Sequence, residues 1–263
     1  AWLSTIFPWN DVFVLAGAIG ILIAIVWMAV YADPPKEILD VTLSESAANR
    51  HHGKAFTWGG LWKTRTLWGV LLIRFVSDPV WYFCLFWLPG YLQEDSGLTL
   101  IQVGWVGWIP FLFGAVGGVL TSAWSDKMVR KGMDPLRARK RMMTLVAVAA
   151  PLCIFTPYFN ALPPYWNVAA IIASFSLIAI MCLSWLYTIC VVIAEAFPVK
   201  NVASVVGITA GAGAVGGAVF NIFIGSLLVT MGNVLFAVMG VMHLVTAVIL
   251  WRMVRHETPK TVK

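Results

Sequence analysis

Arg74 and Asp78 stand four residues apart inside an otherwise apolar stretch, and Trp81 and Tyr82 follow one turn on. On a helix that spacing puts the guanidinium and the carboxylate on one face, within reach of each other. A lone charge at the bilayer centre costs about 2.5–3.5 kcal/mol on insertion scales, so such residues persist by pairing or by facing water. The chemistry available to the group is binding rather than bond-making. Aromatic faces suit sugar rings, and Tyr82 can hydrogen-bond hydroxyls. The stripe Arg74, Asp78, Trp81, Tyr82 predicts one wall of a cavity that meets a hydroxylated anion. The alternative is that Arg74, about two turns from the helix start, reaches for the headgroups while Asp78 only neutralises it. Pro79 cannot donate a backbone hydrogen bond, which weakens the helix ladder beside Asp78.

A second candidate face is Met181, Ser184, Trp185 and Thr188, at i, i+3, i+4 and i+7. Ser184, Trp185 and Thr188 are predicted to line the same cavity, although Ser and Thr also bond their own backbone. Asn221 is a carboxamide among apolar residues, so it bonds across helices or to a solute. Glu195 lies near a helix end beside Pro198 and Lys200; it forms a loop ion pair or relays protons. Asp126 and Arg130 are also i,i+4, in a tight basic loop, and suggest a charge-paired clamp on two helix ends. His243, alone among Met242, Leu244 and Val245, reads as a packed, hydrogen-bonded residue.

Several chemistries find no support. No nucleophile–base set, phosphate loop or metal cluster appears, so neither enzyme activity nor a cofactor nor a metal is expected. His51-His52 has no further ligand nearby. Cys84, Cys153, Cys182 and Cys190 lie in apolar stretches and read as buried, inert thiols; Cys84 is the thiol expected to report on a bound ligand. The run Gly211-Ala-Gly213-Ala-Val-Gly216 fits GxGxxG literally, but it sits within one apolar helix and no acid follows until Glu257. Gly207/Gly211, Gly213/Gly217 and Gly114/Gly118 instead predict small faces for close helix contact in lipid.

The elements that must position these residues are membrane-crossing helices. The chain has 263 residues, 60% apolar and 11% charged, with a mean hydropathy of +0.84. A soluble domain carries about 25% charged residues. Seven stretches, near 12–31, 66–92, 101–124, 141–159, 166–194, 203–229 and 233–251, hold the roughly 20 apolar residues a bilayer needs. Of the 18 Lys and Arg residues, all but Arg74 fall in alternate connections and the tail; the other connections carry Asp11, Glu94 and Asp95. The positive-inside rule then predicts a multi-pass inner-membrane protein with a cytoplasmic C-terminus. The net charge of +6 faces anionic lipid rather than nucleic acid. The start lacks the charged region and cleavage pattern of a signal peptide. Residues 1–31 are expected to hold the end of one helix and a complete second one, 32–65 a cytoplasmic linker, and 66–263 a six-helix bundle with a short tail. The linker opens on Asp33-Pro34-Pro35, a helix stop.

Three stretches carry a resemblance. Ser125-Asp126-Lys127-Met-Val-Arg130-Lys131-Gly132 resembles the loop signature of the major facilitator superfamily, between helices 8 and 9 of its second half. Thr121-Ser122 and Lys127 replace the glycines before the Asp and the Arg after it. Arg137-Ala-Arg139-Lys140 is similar to the run of the anion:cation symporter branch. The stretch from Arg74 to Pro89 resembles helix 7 of hexuronate transporters. Trp185-Leu-Tyr187-Thr188, Glu195-Ala-Phe197-Pro198 and Ala203–Gly217 resemble their helices 10 and 11, with Glu195 where those relatives usually have Asp.

The resemblance runs from the end of helix 5 through helix 12. It implies an all-α bundle, the second half of a twelve-helix carrier. It further implies proton-coupled alternating access for an organic anion, a hexuronate or related sugar acid. Its implied partners are lipid, a small organic anion, protons and the first half of the same carrier, without which this chain is expected not to transport. Other carboxylates (aldonate, glucarate or aromatic acids) or a binding module without transport are the alternatives. A seven-helix retinal pump needs a Lys in mid-span, and no span has one.

Overall fold

In a computed structural model of the chain, residues 6–32, 35 and 55–257 are described, with the backbone alone at 226 and 228–233. Most of the expected linker, including His51-His52, lies outside the described residues, as do residues 1–5. The described chain is helical: α1 Trp9–Val30, α2 Trp58–Leu61, α3 Arg65–Glu94, α4 Leu100–Val106, α5 Ile109–Arg130, α6 Pro135–Val148, a 3₁₀ segment Ala150–Ala161, α7 Pro164–Ala196 and α8 Val199–Met253. Among the described residues, seven spans are long and apolar enough to cross a membrane. They match the seven expected stretches, with α4–α5, α6–3₁₀ and the two arms of α8 (Val199–Gly225 and Val234–Met253) accounting for four of them.

Local sequence sets the ends. Thr64 caps α3 at Leu67 N–H, Thr99 and Gln102 form a capping box on α4, and Asp134 caps α6 at Arg137 N–H. Pro151 and Pro157 remove backbone donors where α6 gives way to 3₁₀ winding.

The contacts give the direction of each rod. Gly213, Gly217 and Asn221 meet Asp78, Tyr82 and Trp87 in ascending order, so the first arm of α8 runs parallel to α3. Phe236 meets Phe83 and Tyr91, and Met253 meets Gly69, so the second arm runs back. One end of the bundle holds Thr66, Arg139, Glu195 and Glu257. The far end holds Asp95 and Asn160, joined at 3.2 Å. The basic 125–141 connection and the acidic 94–98 connection are therefore at opposite ends. The core between them includes Phe83, Phe175 and Phe236, all fully buried and in mutual ring contact. No residue of α1 is buried, although it is the most apolar span.

Glycine decides the closest approaches. A Cβ at Gly216 would lie 2.2 Å from the Phe75 carbonyl oxygen, and one at Gly217 would lie 2.1 Å from the Tyr82 ring. Gly114 and Gly118 seat Ala179 and Tyr187 of α7 in the same manner. The expected Gly207/Gly211 face differs: among the described residues, nothing lies within 4 Å of a Cβ at either position. Helix period alone does not say which of two small faces meets a neighbour.

Gly216→Ala is expected to destabilise the bundle by about 1–3 kcal/mol, because its clash is with backbone. Gly207→Ala should leave stability unchanged or raise it by up to about 1 kcal/mol through helix propensity. Thermal unfolding of both variants in detergent micelles separates them. At the far end, burial, and secondarily the Glu94 charge, raise the Asp95 carboxyl above its ordinary range, against the lowering effect of the Asn160 hydrogen bond. The folded state then holds its proton longer than the unfolded one, so stability falls as pH rises through that window. Asp95→Asn is expected to raise the unfolding midpoint at pH 7, and the gain should vanish in acid.

Candidate functional site

Arg74 Nη2 lies 3.1 Å from Asp78 Oδ2, and each residue is about 9% exposed. α3 supplies both groups one turn apart, and the first arm of α8 closes over them with Gly213. A Cβ there would fall 1.9 Å from Asp78 Oδ2. The Ser77 hydroxyl supports the other carboxylate oxygen at 3.4 Å. Arg74 Nη1 is buried with no hydrogen-bond partner among the described residues. Arg74 therefore does not reach for the headgroups; its side chain stays in the bundle, bound to Asp78.

Arg74 lines a cavity of about 400 Å³ between α3, α7 and the first arm of α8, with Tyr187, Cys190 and Thr209 and an apolar remainder that includes Ile189 and Val206. That volume is in the range of small-molecule sites. Tyr187, Cys190 and Thr209 were not among the residues expected to form a site. Ser184, Trp185 and Thr188 share one face of α7, and the cavity takes the neighbouring face.

The other expected residues distribute as follows. Trp81 is half-buried, edge-on to Phe111 of α5. Tyr82 lies over Gly217 and stacks on Phe86. Asn221 Oδ1 accepts from Trp87 Nε1–H at 3.1 Å, and its amide donates to the Gly217 carbonyl. Ser184, Trp185 and Thr188 are buried inside the bundle. The Ser184 and Thr121 hydroxyls lie 2.9 Å apart, and Trp185 Nε1–H donates to the Met143 carbonyl. Trp185 also meets His243 edge to face. His243 is packed as expected, but neither ring nitrogen has a hydrogen-bond partner among the described residues. The structure thus joins Arg74 with Asp78, and Tyr82 with Asn221 through Gly217. It keeps Ser184 and Trp185 apart from both pairs, in packing contacts.

At the basic end, the expected Asp126–Arg130 pair does not form. Asp126 pairs instead with Arg139 of α6 at 2.6 Å, and Arg130 makes no ion pair among the described residues. Arg139 also reaches Glu195 at 3.3 Å and bonds the Ser125 hydroxyl. A fork of donors satisfies several acceptors at once, whereas an i,i+4 pair on an exposed turn gains little. The partner of Glu195 is thus Arg139, not the adjacent Lys200. Residues 254–257 lie across the same end. Lys140 Nζ donates to the Val254 carbonyl, Thr66 Oγ1–H to Glu257, and Glu257 N–H to the Ala196 carbonyl. His256 bridges the Glu195 carbonyl and Asp134. Asn201 exchanges two hydrogen bonds with the Phe56 backbone. None of these tail contacts was legible, because each joins residues more than 100 positions apart or lacks a periodic signal.

The thiols divide. Cys84, Cys153 and Cys182 are buried, but Cys190 is exposed and lines the cavity. Cys84, about 1% exposed, cannot serve as the ligand reporter; Cys190 is placed to do so.

Residues 1–192 match the family model of the Major Facilitator Superfamily. The chain belongs to this superfamily. It is similar to the probable L-galactonate transporter of Escherichia coli strain K12, at 34% identity over 53% of this chain and 32% of the relative. The hexuronate transporter of the same strain is 25% identical over 97% of this chain and 60% of the relative. The probable galactarate/D-glucarate transporter GarP of that strain is 27% identical over 60% of this chain and 40% of the relative. The chain thus spans between a third and three-fifths of the length of these relatives. α3 to α8 hold six of the seven candidate spans among the described residues.

Arg139→Ala leaves the Glu195 carboxylate, whose Oε2 already has no partner among the described residues, without its cation. The variant is expected to lose about 3 kcal/mol of stability. Chemical unfolding in micelles measures it, and adding Glu195→Gln should recover most of the loss.

Proposed function

We propose that this chain is the second half of a secondary carrier for sugar acids, with a hexuronate or an aldonate such as galactonate as substrate. Arg74 takes the substrate carboxylate. Tyr187 and Thr209 meet its hydroxyls. Asp78 holds the guanidinium when the site is free, and Trp81, Tyr82 and Asn221 continue the wall toward the far end. The observation that carries this reading is a buried guanidinium, with one nitrogen unpartnered among the described residues, on a cavity of about 400 Å³. A buried cation without its full set of acceptors is costly, and an entering carboxylate supplies bidentate acceptors in the right geometry. The names of the three relatives above support the substrate class.

The rest of the carrier follows from the same reading. A first half of the carrier forms the opposite wall, and α1, unburied here, belongs with it. The two bundles rock about the site, and the Arg139 cluster holds the cytoplasmic ends of α5, α6 and α7 together as they move. The basic end faces the cytoplasm and the membrane is the inner one, a reading that the charge asymmetry supports. The reading assigns the chain no bond-making step.

Binding of D-galactonate or D-glucuronate is tested at Cys190. At a concentration ten times the dissociation constant, either sugar acid is expected to slow alkylation of Cys190 by N-ethylmaleimide about tenfold, since only that fraction of sites stays free. Neutral galactose should give no protection, and Arg74→Gln should abolish it. Equal alkylation rates with and without both acids would reject the reading.

A further inference from the structure

We propose that Asp78 is a proton acceptor coupled to anion binding: an entering carboxylate displaces it from Arg74, and Asp78 takes up one proton from water as it leaves. The inference rests on the sugar-acid reading above and adds the residue that carries the proton.

Charge conservation in a buried site governs the exchange. Arg74 is a single cation with two places to fill, Nη2 on Asp78 at 3.1 Å and Nη1 without a partner among the described residues. Its guanidinium lines the cavity, so a carboxylate arriving there meets the same cation that holds Asp78. Before binding, the pair is neutral. Adding a second carboxylate would leave one net negative charge buried, and like charges sharing a site push one of them to protonate. Taking a proton from water restores neutrality. The site goes from Arg74 cation and Asp78 anion, plus free carboxylate and proton, to Arg74 cation and bound carboxylate beside neutral Asp78. No bond other than the Asp78 O–H forms, and charge balances on both sides.

The surroundings offer no other group for the task. From its own helix Asp78 faces Arg74 and the Ser77 hydroxyl. From α7 the titratable group near it is the buried thiol of Cys182. From the first arm of α8 it meets Gly213, which has no side chain. Among the described residues no second cation stands by to take over Asp78 when Arg74 turns to the substrate. The acid that loses its partner is therefore the one that accepts the proton.

The test uses the purified chain in lipid nanodiscs with D-galactonate as probe. Calorimetric titrations in two buffers of different ionisation enthalpy count the protons taken up per anion bound. The expected count is about one, with affinity falling about tenfold per pH unit on the alkaline side. An infrared difference spectrum should show a protonated carboxyl band appearing with galactonate. In Asp78→Asn the band and the proton uptake should both vanish, and binding should become independent of pH. Galactonate binding with no proton uptake in the unsubstituted chain overturns the proposal and leaves the sugar-acid reading standing. Proton uptake that survives in Asp78→Asn also overturns it. Failure of galactonate and glucuronate to bind at all rejects the sugar-acid reading itself, and this inference with it. Should Asp78→Asn fail to fold, the proton count and the carboxyl band of the unsubstituted chain still decide.

Discussion

The close approach of α3 to the first arm of α8 is the constraint on which the rest of the bundle depends. In lipid there is no water to expel from between helices, so their association rests on shape. Gly213, Gly216 and Gly217 bring α8 against the backbone of Phe75 and the side chains of Asp78 and Tyr82. That contact buries the Arg74–Asp78 pair, and burial makes significant the nitrogen left without a partner among the described residues. It also bounds the cavity, because Val206, Thr209 and Ala210 lie just before the glycines on the same arm. Packing and binding are thus one feature: the glycines that permit contact at 213–217 leave the cavity open one to two turns earlier.

A different economy governs the basic end. There the chain closes its rods with charge and backbone hydrogen bonds rather than small residues. Arg139 gathers Asp126 from α5 and Glu195 from α7, and Lys140, one residue on, holds the carbonyl of Val254 beyond α8. Lys140 also lies 5.4 Å from the Trp251 ring. Two adjacent residues of α6 therefore tie three other helices. Arginine suits the two-acid site because its fork has donors pointing in different directions, which a lysine ammonium on a flexible stem does not fix in place.

Much of this was legible in residue types. The seven spans follow from apolar length, and the opposite placement of the basic and acidic connections follows from charge asymmetry alone. The Arg74–Asp78 pair could be read from its spacing, since both partners sit on one helix. What could not be read required knowing which helix faces which. Asp126 has an arginine at i+4 and a better one across a turn, and only the fold brings Arg139 near. Gly207/Gly211 and Gly213/Gly217 look alike as spacings, yet only the second meets a neighbour. Tyr187, Cys190 and Thr209 carry no periodic signature that separates them from lipid-facing residues. The face with the more suggestive chemistry on α7, Ser184, Trp185 and Thr188, turned inward to Met143 and Thr121.

The 3₁₀ segment after α6 has a geometric result. Tighter winding raises the chain about 2.0 Å per residue instead of about 1.5 Å. Twelve residues so wound, Ala150–Ala161, gain about 6 Å over an α-helix of equal length. The 27 residues from Pro135 to Ala161 thereby reach as far as the 30 of α3. Stretching, not extra sequence, is what lets Asn160 arrive level with Asp95 and fasten the two rods at the rim.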